Sequence, residues 1–434
     1  MKKIVSIVFV LIIITNIPLY AHSNSNLNIL GKSAILIDAE TGNVLYQKDM
    51  HKKMYPASTT KIMTAILALE NSELTDMVTV DKKSPYEVDG SHIALEPGEV
   101  LSMNDMLHAL LIESANDAAL VIARHISGSV EEFAKLMNKK AIEIGAKNTN
   151  FVNPNGLPDQ NHTTTAYDLA MMARYAMQNK TFKKIVSNYK YTIPATEIKG
   201  EPRNLFSANR LLYGTGASNK INVDGKVVDI KYPDADGIKT GYTDVARNCL
   251  VSTAIRGDTR LIAVVLGAEG KNVYVDTHKL LNYGFDNFVS QRISFKNEFI
   301  KNIDVKYGDK SFVTAVTGQD VFALIPKDKQ DNIKKEIIMG NKIDAPVTEN
   351  QVLGMIEYKL DNQVIGTCNI IATSNINRKG IYNVVSTDRQ FTLFKKWWFW
   401  AIILFILWRS YIGYKRYKRK KRKRQESSPF VYRR

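Results

Sequence analysis

Cysteine and metal-binding patterns are nearly absent from this chain. The 434 residues include two cysteines, Cys249 and Cys368, which lie far apart in the sequence. Two cysteines are too few for a disulfide framework, although their number allows a single bridge between them. The seven histidines are scattered, and neither an H-E-x-x-H motif nor a Cys/His cluster with zinc spacing occurs. Four of them are interpreted as surface or hydrogen-bonded polar residues: His92, His108, His125 and His162. We therefore expect no metal ion and no organic cofactor.

Acidic residues are scarce relative to basic ones, but only at one end of the chain. The formal net charge is +16, from 59 Lys and Arg against 43 Asp and Glu, and residues 415–434 alone contribute +10. The main body is therefore close to neutral. Because the basic tail directly follows an apolar segment, it suits a membrane surface better than a nucleic acid, and we expect no nucleic-acid partner.

Long apolar runs are confined to the two ends of the chain. Residues 1–21 combine two lysines with the apolar run Ile4–Ile14, which predicts a cleaved secretory signal peptide, with an uncleaved anchor as the alternative. Near the other end, twelve apolar residues, Trp397–Trp408, predict a transmembrane helix over 396–414 followed by a cytoplasmic tail over 415–434. The alternative is a helix that lies in the membrane interface. These segments predict a single-pass protein of the cell membrane with its main body on the extracytoplasmic side.

The stretch Pro56–Lys61 carries the candidate nucleophile. Ser58 and Lys61 are three residues apart, so a helix that begins here places both side chains on one face, one turn apart. Apolar residues at helical spacing support such a helix: Ile62, Ala65, Ile66 and Leu69. A lysine drawn toward an apolar interior loses hydration, and its pKa falls. A neutral amine within hydrogen-bond distance of a serine accepts the hydroxyl proton and makes the oxygen a nucleophile.

The S-x-x-K pattern alone does not establish this assignment, because it recurs by chance. Two further motifs support it. The segment Ser114–Asn116 has the form S-x-N, and Lys239–Gly241 reads K-T-G near the end of the same domain. A second S-x-x-K occurs at Ser187–Lys190, and a second S-x-N at Ser207–Asn209. The second pair has the wrong spacing, and no long apolar stripe follows its S-x-x-K. We therefore favour Ser58 and interpret the second set as structural.

The order of strands and helices predicts an α/β fold. Strands are predicted before Ser58 and after Lys239, with helices between them. This order indicates a sheet packed against a helical lobe, with the active site between the two. We assign this domain to residues 22–290. Short strand-like runs without helical periodicity then predict a small all-β domain over 291–385, interpreted as a spacer between the catalytic domain and the membrane.

The three motifs together resemble those of the low-molecular-mass penicillin-binding proteins, which are serine-type D-alanyl-D-alanine carboxypeptidases of the peptidase S11 family. The resemblance covers about 30–285 and includes the segments 151–157 and 164–169. It implies a β-lactamase/transpeptidase-like catalytic domain, often followed by a small β domain. It also implies removal of the terminal D-alanine from peptidoglycan stem pentapeptides through an acyl-enzyme, with β-lactam antibiotics as covalent inhibitors.

The resemblance implies a role for each motif residue. Three are catalytic: Ser58 as the nucleophile, Lys61 as the base and Ser114 in a proton path to the leaving amine. Five bind substrate: Asn116, Lys239, Thr240, Gly241 and Tyr242. Asn116 would bind the substrate amide, Thr240 the terminal carboxylate, and Lys239 would add positive charge and share the proton path. Backbone N–H groups of Ser58 and Tyr242 would form the oxyanion hole.

The sequence departs from the family pattern at one position and leaves three alternative functions open. Relatives often carry an arginine that holds the substrate carboxylate, whereas residues 270–274 contain none, so either Lys271 substitutes or the carboxylate is held less selectively. A D-Ala endopeptidase of the same family is one alternative. A class A β-lactamase is disfavoured, because no E-x-x-L-N element lies between Ser114 and Lys239. A penicillin-sensing or wall-binding domain without turnover is the non-enzymatic alternative.

Overall fold

The structure, a computed structural model, describes residues 27–379 and 397–425. The predicted signal peptide over 1–21 and the final residues of the predicted basic tail lie outside this range. The chain divides into two compact units. The first is drawn from Met1–Lys296, Gln319–Ile338 and Met355–Asn369, and the second from Asn297–Gly318, Met339–Gly354 and Ile370–Arg434. The domain limits at residues 290 and 385 stay predictions.

Helices and strands of the described residues are numbered here in chain order. The helices are α1 (Lys61–Asn71), α2 (Met103–His108), α3 (Asn116–Ser127), α4 (Val130–Ile144), α5 (Ala166–Ala176), α6 (Lys180–Ser187), α7 (Asn272–Asn287) and α8 (Trp397–Gln425). The strands up to Ser294 are β1 (Ser33–Asp38), β2 (Val44–Lys48), β3 (Met77–Thr79), β4 (Val100–Ser102), β5 (Lys190–Ile193), β6 (Arg203–Phe206), β7 (Lys220–Val223), β8 (Lys226–Asp229), β9 (Ala235–Thr243), β10 (Arg247–Arg256), β11 (Thr259–Ala268) and β12 (Phe288–Ser294). The later strands are β13 (Phe299–Lys306), β14 (Phe312–Thr317), β15 (Val321–Pro326), β16 (Lys334–Met339), β17 (Lys342–Asp344), β18 (Val352–Leu360) and β19 (Gln363–Ala372).

A five-stranded antiparallel sheet forms the centre of the first unit. Its order is β2-β1-β11-β10-β9, so β9, which carries the K-T-G motif, is an edge strand. Side chains alternate between the two faces, as the strand geometry requires. On β1, Ile35 and Ile37 belong to the apolar core shared with α1, α3 and α5, whereas Ala34 and Leu36 belong to the core under α7. Helices therefore cover both faces of the sheet.

The predicted elements of this unit are largely confirmed. The hairpins β1–β2 and β10–β11 and the helices before and after Ser114 lie where the apolar periodicity placed them. The predicted capping box is also present, since the Ser102 side chain accepts a hydrogen bond from the Asp105 backbone N–H at 3.1 Å. The mixed α/β architecture predicted for this part of the chain is confirmed.

The predicted all-β region consists of short strands. In the second unit, β13 pairs antiparallel with β14 and parallel with β17. In the first unit, β12 pairs antiparallel with β15. The expected strand-like runs are strands, but the sequence reading missed β12, β16 and β17. β16 was missed because its residues are exposed and charge-rich, which is not typical of a strand.

The C-terminal apolar run forms the first part of α8, as predicted, and the basic residues continue the same helix. No helix within the described ranges combines enough length and apolarity to cross a membrane. The transmembrane assignment for residues 396–414 gains no support from this helix and stays a prediction.

Candidate active site

Ser58 lies in a single 3-10 turn, Ala57–Thr60, that leads directly into α1. The sequence predicted that a helix places Ser58 and Lys61 on one face. The prediction of an α-helix at Ser58 is corrected to a 3-10 turn, because a positive φ of 49° at Ala57 prevents a regular α-helix from beginning there. A 3-10 helix has three residues per turn, so side chains at i and i+3 still eclipse. The expected juxtaposition is preserved.

Lys61 makes three close polar contacts although it is fully buried. Its Nζ atom lies 3.0 Å from Ser58 Oγ, 2.6 Å from Asn116 Oδ1 and 2.7 Å from the Asn155 carbonyl oxygen. Burial is the main cause that lowers the pKa of Lys61 well below its ordinary value, and the charge of Lys239 lowers it further. The carboxylate of Asp117 acts in the opposite direction. These surroundings favour the neutral amine.

A neutral amine fits this set of partners. It has two N–H donors and one lone pair, whereas the amide oxygen of Asn116 and the carbonyl of Asn155 are acceptors only. Donation to those two oxygens uses both N–H bonds. The lone pair is then directed at the remaining neighbour, which is the Ser58 hydroxyl. Lys61 can therefore accept the Ser58 proton, which is the chemistry predicted for this pair.

The S-x-N motif lies at the junction of two helical segments. A π-helical turn, Ala109–Glu113, ends at Ser114, which adopts a left-handed conformation with φ of 65° and is buried. Asn116 then begins α3. Its side chain contacts Lys61 on one side and the Asp89 carbonyl on the other. Asp117 fixes the same loop, since its carboxylate accepts the Ile93 and Leu95 backbone N–H groups.

The K-T-G motif brings β9 against the nucleophile turn. Lys239 is buried, its Nζ donates to the Thr240 carbonyl at 3.1 Å, and its charge acts on the pKa of Lys61. Burial lowers the pKa of Lys239 to about 7, against an opposing effect of Glu113. A Cβ atom at Gly241 would lie 2.9 Å from the Ser58 backbone nitrogen. Only glycine therefore allows the strand to approach Ser58 this closely.

Thr240, Tyr242 and Lys271 are the remaining predicted residues. Thr240 is half-buried on β9, and Tyr242 is exposed, with its hydroxyl donating to Asp244 at 2.9 Å. Lys271 donates to the Ser218 carbonyl at 2.9 Å. The roles of Thr240, Tyr242 and Lys271 stay predictions. Among the residues the structure describes, no cluster of His, Cys, Asp or Glu could hold a metal ion.

The second S-x-x-K does not form a comparable pair. Ser187 is the last residue of α6, and Lys190 is the first residue of β5, so no common helical turn joins them. Both side chains are exposed, and Ser187 Oγ donates to the Lys184 carbonyl. Ser207 Oγ accepts the Asn209 backbone N–H, a local turn contact. This geometry agrees with the structural interpretation of both segments.

Sequence reasoning missed the contribution of the 151–162 segment to the site. The Asn155 carbonyl accepts a hydrogen bond from Lys61, and backbone carbonyls carry no residue signature. His162 was interpreted as a satisfied polar residue, which is confirmed. Its ring contacts Thr60 Oγ1 at 2.9 Å and accepts the Val152 N–H at 3.0 Å. Burial lowers the pKa of His162 to about 4, so the ring is uncharged near neutral pH. In that form it keeps its hydrogen bonds to this segment.

Gly156 gives a direct test of this packing. An alanine Cβ at this position would lie 1.9 Å from the Ala57 carbonyl oxygen, and φ is 87°. Gly145 has φ of 93° with nothing within 4 Å, so it is a matched control. Gly156→Ala and Gly145→Ala should both lose about 1–2 kcal/mol of unfolding free energy from backbone strain. Gly156→Ala should lose about 1–3 kcal/mol more from the overlap. Equal losses in urea unfolding would contradict the close approach.

Comparison with known proteins agrees with this geometry. Residues 20–270 match the family described as D-alanyl-D-alanine carboxypeptidase, peptidase S11, and residues 288–378 match the penicillin-binding protein 5 C-terminal domain. The D-alanyl-D-alanine carboxypeptidase DacF of Bacillus subtilis is 36% identical over 372 residues, which cover 84% of this chain and 90% of that protein. DacA of Haemophilus influenzae is 32% identical and covers 82% and 87%.

A solved structure shows the same architecture. Penicillin-binding protein 5 from Haemophilus influenzae superimposes with a TM-score of 0.67 at 30% identity, covering 81% of this chain and 98% of that one. The match spans the catalytic part together with the all-β part. The family match covers more than half of the chain, and it includes Ser58, Lys61, Ser114, Asn116 and Lys239. The chain therefore belongs to the peptidase S11 family of D-alanyl-D-alanine carboxypeptidases.

Proposed function

We propose that the chain removes the terminal D-alanine from peptidoglycan stem pentapeptides, with Ser58 as the nucleophile. The observation that carries this proposal is the buried Lys61 amine, 3.0 Å from Ser58 Oγ and bound to two oxygen acceptors. Family membership supports the substrate class, because the relatives carry the name D-alanyl-D-alanine carboxypeptidase.

The reaction follows from the lone pair of Lys61. The amine accepts the Ser58 proton as Oγ attacks the carbonyl carbon of the penultimate D-alanine. The negative charge that develops on the carbonyl oxygen is stabilised by the Ser58 N–H and, by family resemblance, the Tyr242 N–H. Such donors typically contribute about 2.7–4 kcal/mol each. The C–N bond then breaks, the proton passes to the leaving D-alanine amine, and water hydrolyses the ester on Ser58.

Residues of β9 and the S-x-N motif would position the substrate. Lys239 and Thr240 bind the terminal carboxylate, and Asn116 binds the amide that precedes the cleaved bond. Ser114 passes the proton between Lys239 and the leaving amine. A β-lactam presents a reactive amide and a carboxylate in similar positions, so it acylates Ser58 in the same way and inhibits the enzyme.

The two buried lysines predict a bell-shaped dependence of kcat/KM on pH. Lys61 acts as a base only when neutral, so kcat/KM should rise as the pH increases through the lowered pKa of Lys61. Lys239 attracts a carboxylate only when charged, so kcat/KM should fall above its pKa of about 7. Lys239→Arg keeps its charge at all these pH values and should remove the alkaline limb, at a lower overall rate because a guanidinium does not release the proton that Ser114 passes to the leaving amine. An unchanged alkaline limb in that variant would contradict the role of Lys239.

Product analysis by mass spectrometry tests the proposed reaction. The wild-type protein should convert a stem pentapeptide to the tetrapeptide with release of one D-alanine, whereas Ser58→Ala should not. A cross-linked muropeptide dimer in a parallel reaction distinguishes a D-Ala endopeptidase, which would separate its halves. Labelling by fluorescent penicillin without D-alanine release would instead indicate a penicillin-sensing domain and would refute the proposal.

We also infer that the protein is exported and attached to the outer face of the cell membrane through α8. The first part of this helix exposes large apolar side chains, such as Leu404 and Phe405, and the second part carries the basic run from Lys415 to Arg422. Apolar insertion at the headgroup boundary combined with attraction to anionic lipids suits this composition. The full chain should sediment with anionic vesicles more strongly than with zwitterionic ones. A chain truncated after residue 396 should remain in solution, and equal sedimentation of both chains would exclude this attachment.

A further inference from the structure

The S-x-N motif is preceded by an acidic residue that the reaction described above does not use. Glu113 is the last residue of the π-helical turn, and Ser114 follows it directly. Its side chain is half-buried, and one carboxylate oxygen accepts the Phe206 backbone N–H at 3.0 Å. Phe206 ends β6 and lies 93 residues further along the chain. Glu113 therefore joins the S-x-N motif to a segment that is distant in sequence.

A second hydrogen bond joins the same two segments. The Ala208 backbone N–H donates to the Ile112 carbonyl at 3.3 Å. Between Phe206 and Ala208, the Ser207 N–H donates to the Tyr189 carbonyl at 2.8 Å. The segment after β6 is thus bound to the residue before β5 on one side and to the π-helical turn on the other.

These contacts support a backbone conformation that Ser114 does not favour by itself. Its φ of 65° lies in the left-handed region, which is unfavourable for a residue with a Cβ atom. Such a conformation persists where the surrounding structure enforces it. On the C-terminal side, the Asn116 N–H donates to the Ser91 carbonyl at 2.7 Å. On the N-terminal side, the bonds of Ile112 and Glu113 fix the turn from which Ser114 emerges.

Glu113 also supplies a negative charge that acts on Lys239. Burial favours the neutral form of Lys239 and lowers its pKa to about 7. The Glu113 carboxylate opposes this effect and favours the charged amine. Lys61 also faces Lys239, but a second lysine contributes no negative charge that would stabilise it.

The other charged groups on the elements around β9 are basic or already engaged. They are paired as Asp236 with Arg260, Asp234 with Arg256 and Glu269 with Arg247, Asp244 accepts the Tyr242 hydroxyl, Asp117 accepts the Ile93 and Leu95 N–H groups, and α6 carries Lys180, Lys183 and Lys184. The turn Ala57–Thr60, which packs against Gly241 of β9, carries no charged side chain. Among the residues that the structure describes, Glu113 is thus the carboxylate whose charge favours protonated Lys239.

We propose that Glu113 is a positioning residue of the active site, an inference that rests on the proposed carboxypeptidase function. Its carboxylate anchors the turn that presents Ser114 and keeps Lys239 in the charged form that binds the substrate carboxylate. The first effect needs an acceptor oxygen, whereas the second needs a negative charge. Substitution can therefore separate the two effects.

Two variants of Glu113 and one control test this proposal. Glu113→Gln keeps an acceptor oxygen of the same reach but removes the charge, whereas Glu113→Ala removes both. Glu70→Gln is the control, because it makes the same change at a residue that pairs with Lys140 at 2.8 Å. Glu70 lies about 14 Å along α1 from Lys61, which exceeds the distance over which salt screens an exposed charge.

The pH dependence of acylation by fluorescent penicillin is the readout that a purely structural role would not move. In Glu113→Gln, the alkaline limb should shift to lower pH by about one unit, because the neutral form of Lys239 is reached sooner. The rate below that limb should stay close to the wild-type rate. Glu113→Ala should show the same shift and, in addition, a rate about ten- to hundred-fold lower at every pH, because Ser114 is misplaced. Glu70→Gln should match the wild type throughout.

The titration of Lys239 can also be followed directly by NMR of protein labelled with ¹³C at the lysine Cε atoms. The Lys239 resonance is identified by its absence from Lys239→Arg. An unchanged Lys239 titration in Glu113→Gln would overturn the proposal, as would a wild-type rate in Glu113→Ala. Because Glu113→Gln retains the hydrogen bond, its test does not depend on the stability of Glu113→Ala. None of these readouts requires D-alanine release, so a wild-type protein that releases none would refute the proposed function alone.

Discussion

Replacing Ser58 with alanine should abolish both D-alanine release and covalent labelling by penicillin. The hydroxyl that contacts Lys61 Nζ at 3.0 Å is the proposed attacking group, and alanine removes it without disturbing the turn. Loss of a serine nucleophile of this kind typically lowers kcat by about 10⁴–10⁶-fold. The measurements are D-alanine release from a pentapeptide and mass spectrometry of the protein after incubation with penicillin.

The chain supplies a matched control for this substitution. Ser187 is the serine of the second S-x-x-K, but it is exposed at the end of α6 and donates to the Lys184 carbonyl. Ser187→Ala should therefore retain the full rate and full labelling. Penicillin bound to any peptide other than the one that contains Ser58 would overturn the assignment, and so would a normal rate in Ser58→Ala.

Replacing Lys61 with methionine should lower the rate of acylation by about 10²–10⁴-fold, the usual contribution of a positioned general base. Methionine has a similar length and suits a buried site, but it offers no lone pair of comparable basicity to the Ser58 hydroxyl. The acid limb of the pH profile should disappear together with the rate, since that limb reports the titration of Lys61. The rate should be measured by stopped-flow fluorescence with a chromogenic or fluorescent β-lactam.

Stability must be measured for the same variant, because Lys61→Met leaves two buried acceptors without a donor. The Asn116 amide oxygen and the Asn155 carbonyl each lose a hydrogen bond, which costs about 1–3 kcal/mol per buried group. Lys190→Met, at the exposed lysine of the second motif, is the control and should change neither rate nor stability. A folded Lys61→Met protein that acylates at the normal rate would exclude Lys61 as the base.

The sequence predicted the contact between Ser58 and Lys61 better than the backbone that provides it. The spacing of Ser58 and Lys61 was sufficient because any helix with about three residues per turn brings i and i+3 together. The 3-10 form of the turn was not predictable from this spacing. It depends on the positive φ at Ala57 and on the close approach of Gly156 to the Ala57 carbonyl. Gly156 is distant from Ala57 in the sequence.

Backbone groups and loop contacts account for the residues that were missed. Asn155 acts through its carbonyl, which every residue type carries, so no side-chain pattern marks it. Asp117 was hidden next to the S-x-N motif, although it is buried, binds the loop that contacts Asn116 and affects the pKa of Lys61. An acidic residue in the first turn of a predicted buried helix was the available signal.

The C-terminal helix shows the limit of composition as a guide. A run of apolar and aromatic residues predicted a helix correctly, since these residues are compatible with helical structure and contain no proline or central glycine over Trp397–Trp408. Whether a helix crosses a membrane depends on its length and its mean hydropathy together, which a short apolar run does not settle. The existence of the helix was therefore predictable from composition, whereas a spanning role was not.

The edge position of β9 has a consequence for how specificity evolves in this site. A peptide that lies alongside an edge strand is recognised through its main chain, because amide groups are the same in every sequence. Side chains of the incoming peptide then point alternately toward and away from the enzyme, and only some of them are inspected. Tolerance of varied stem peptides and susceptibility to small amide mimics would thus arise from one geometric cause, and resistance gained by altering β9 would also reduce use of the natural substrate.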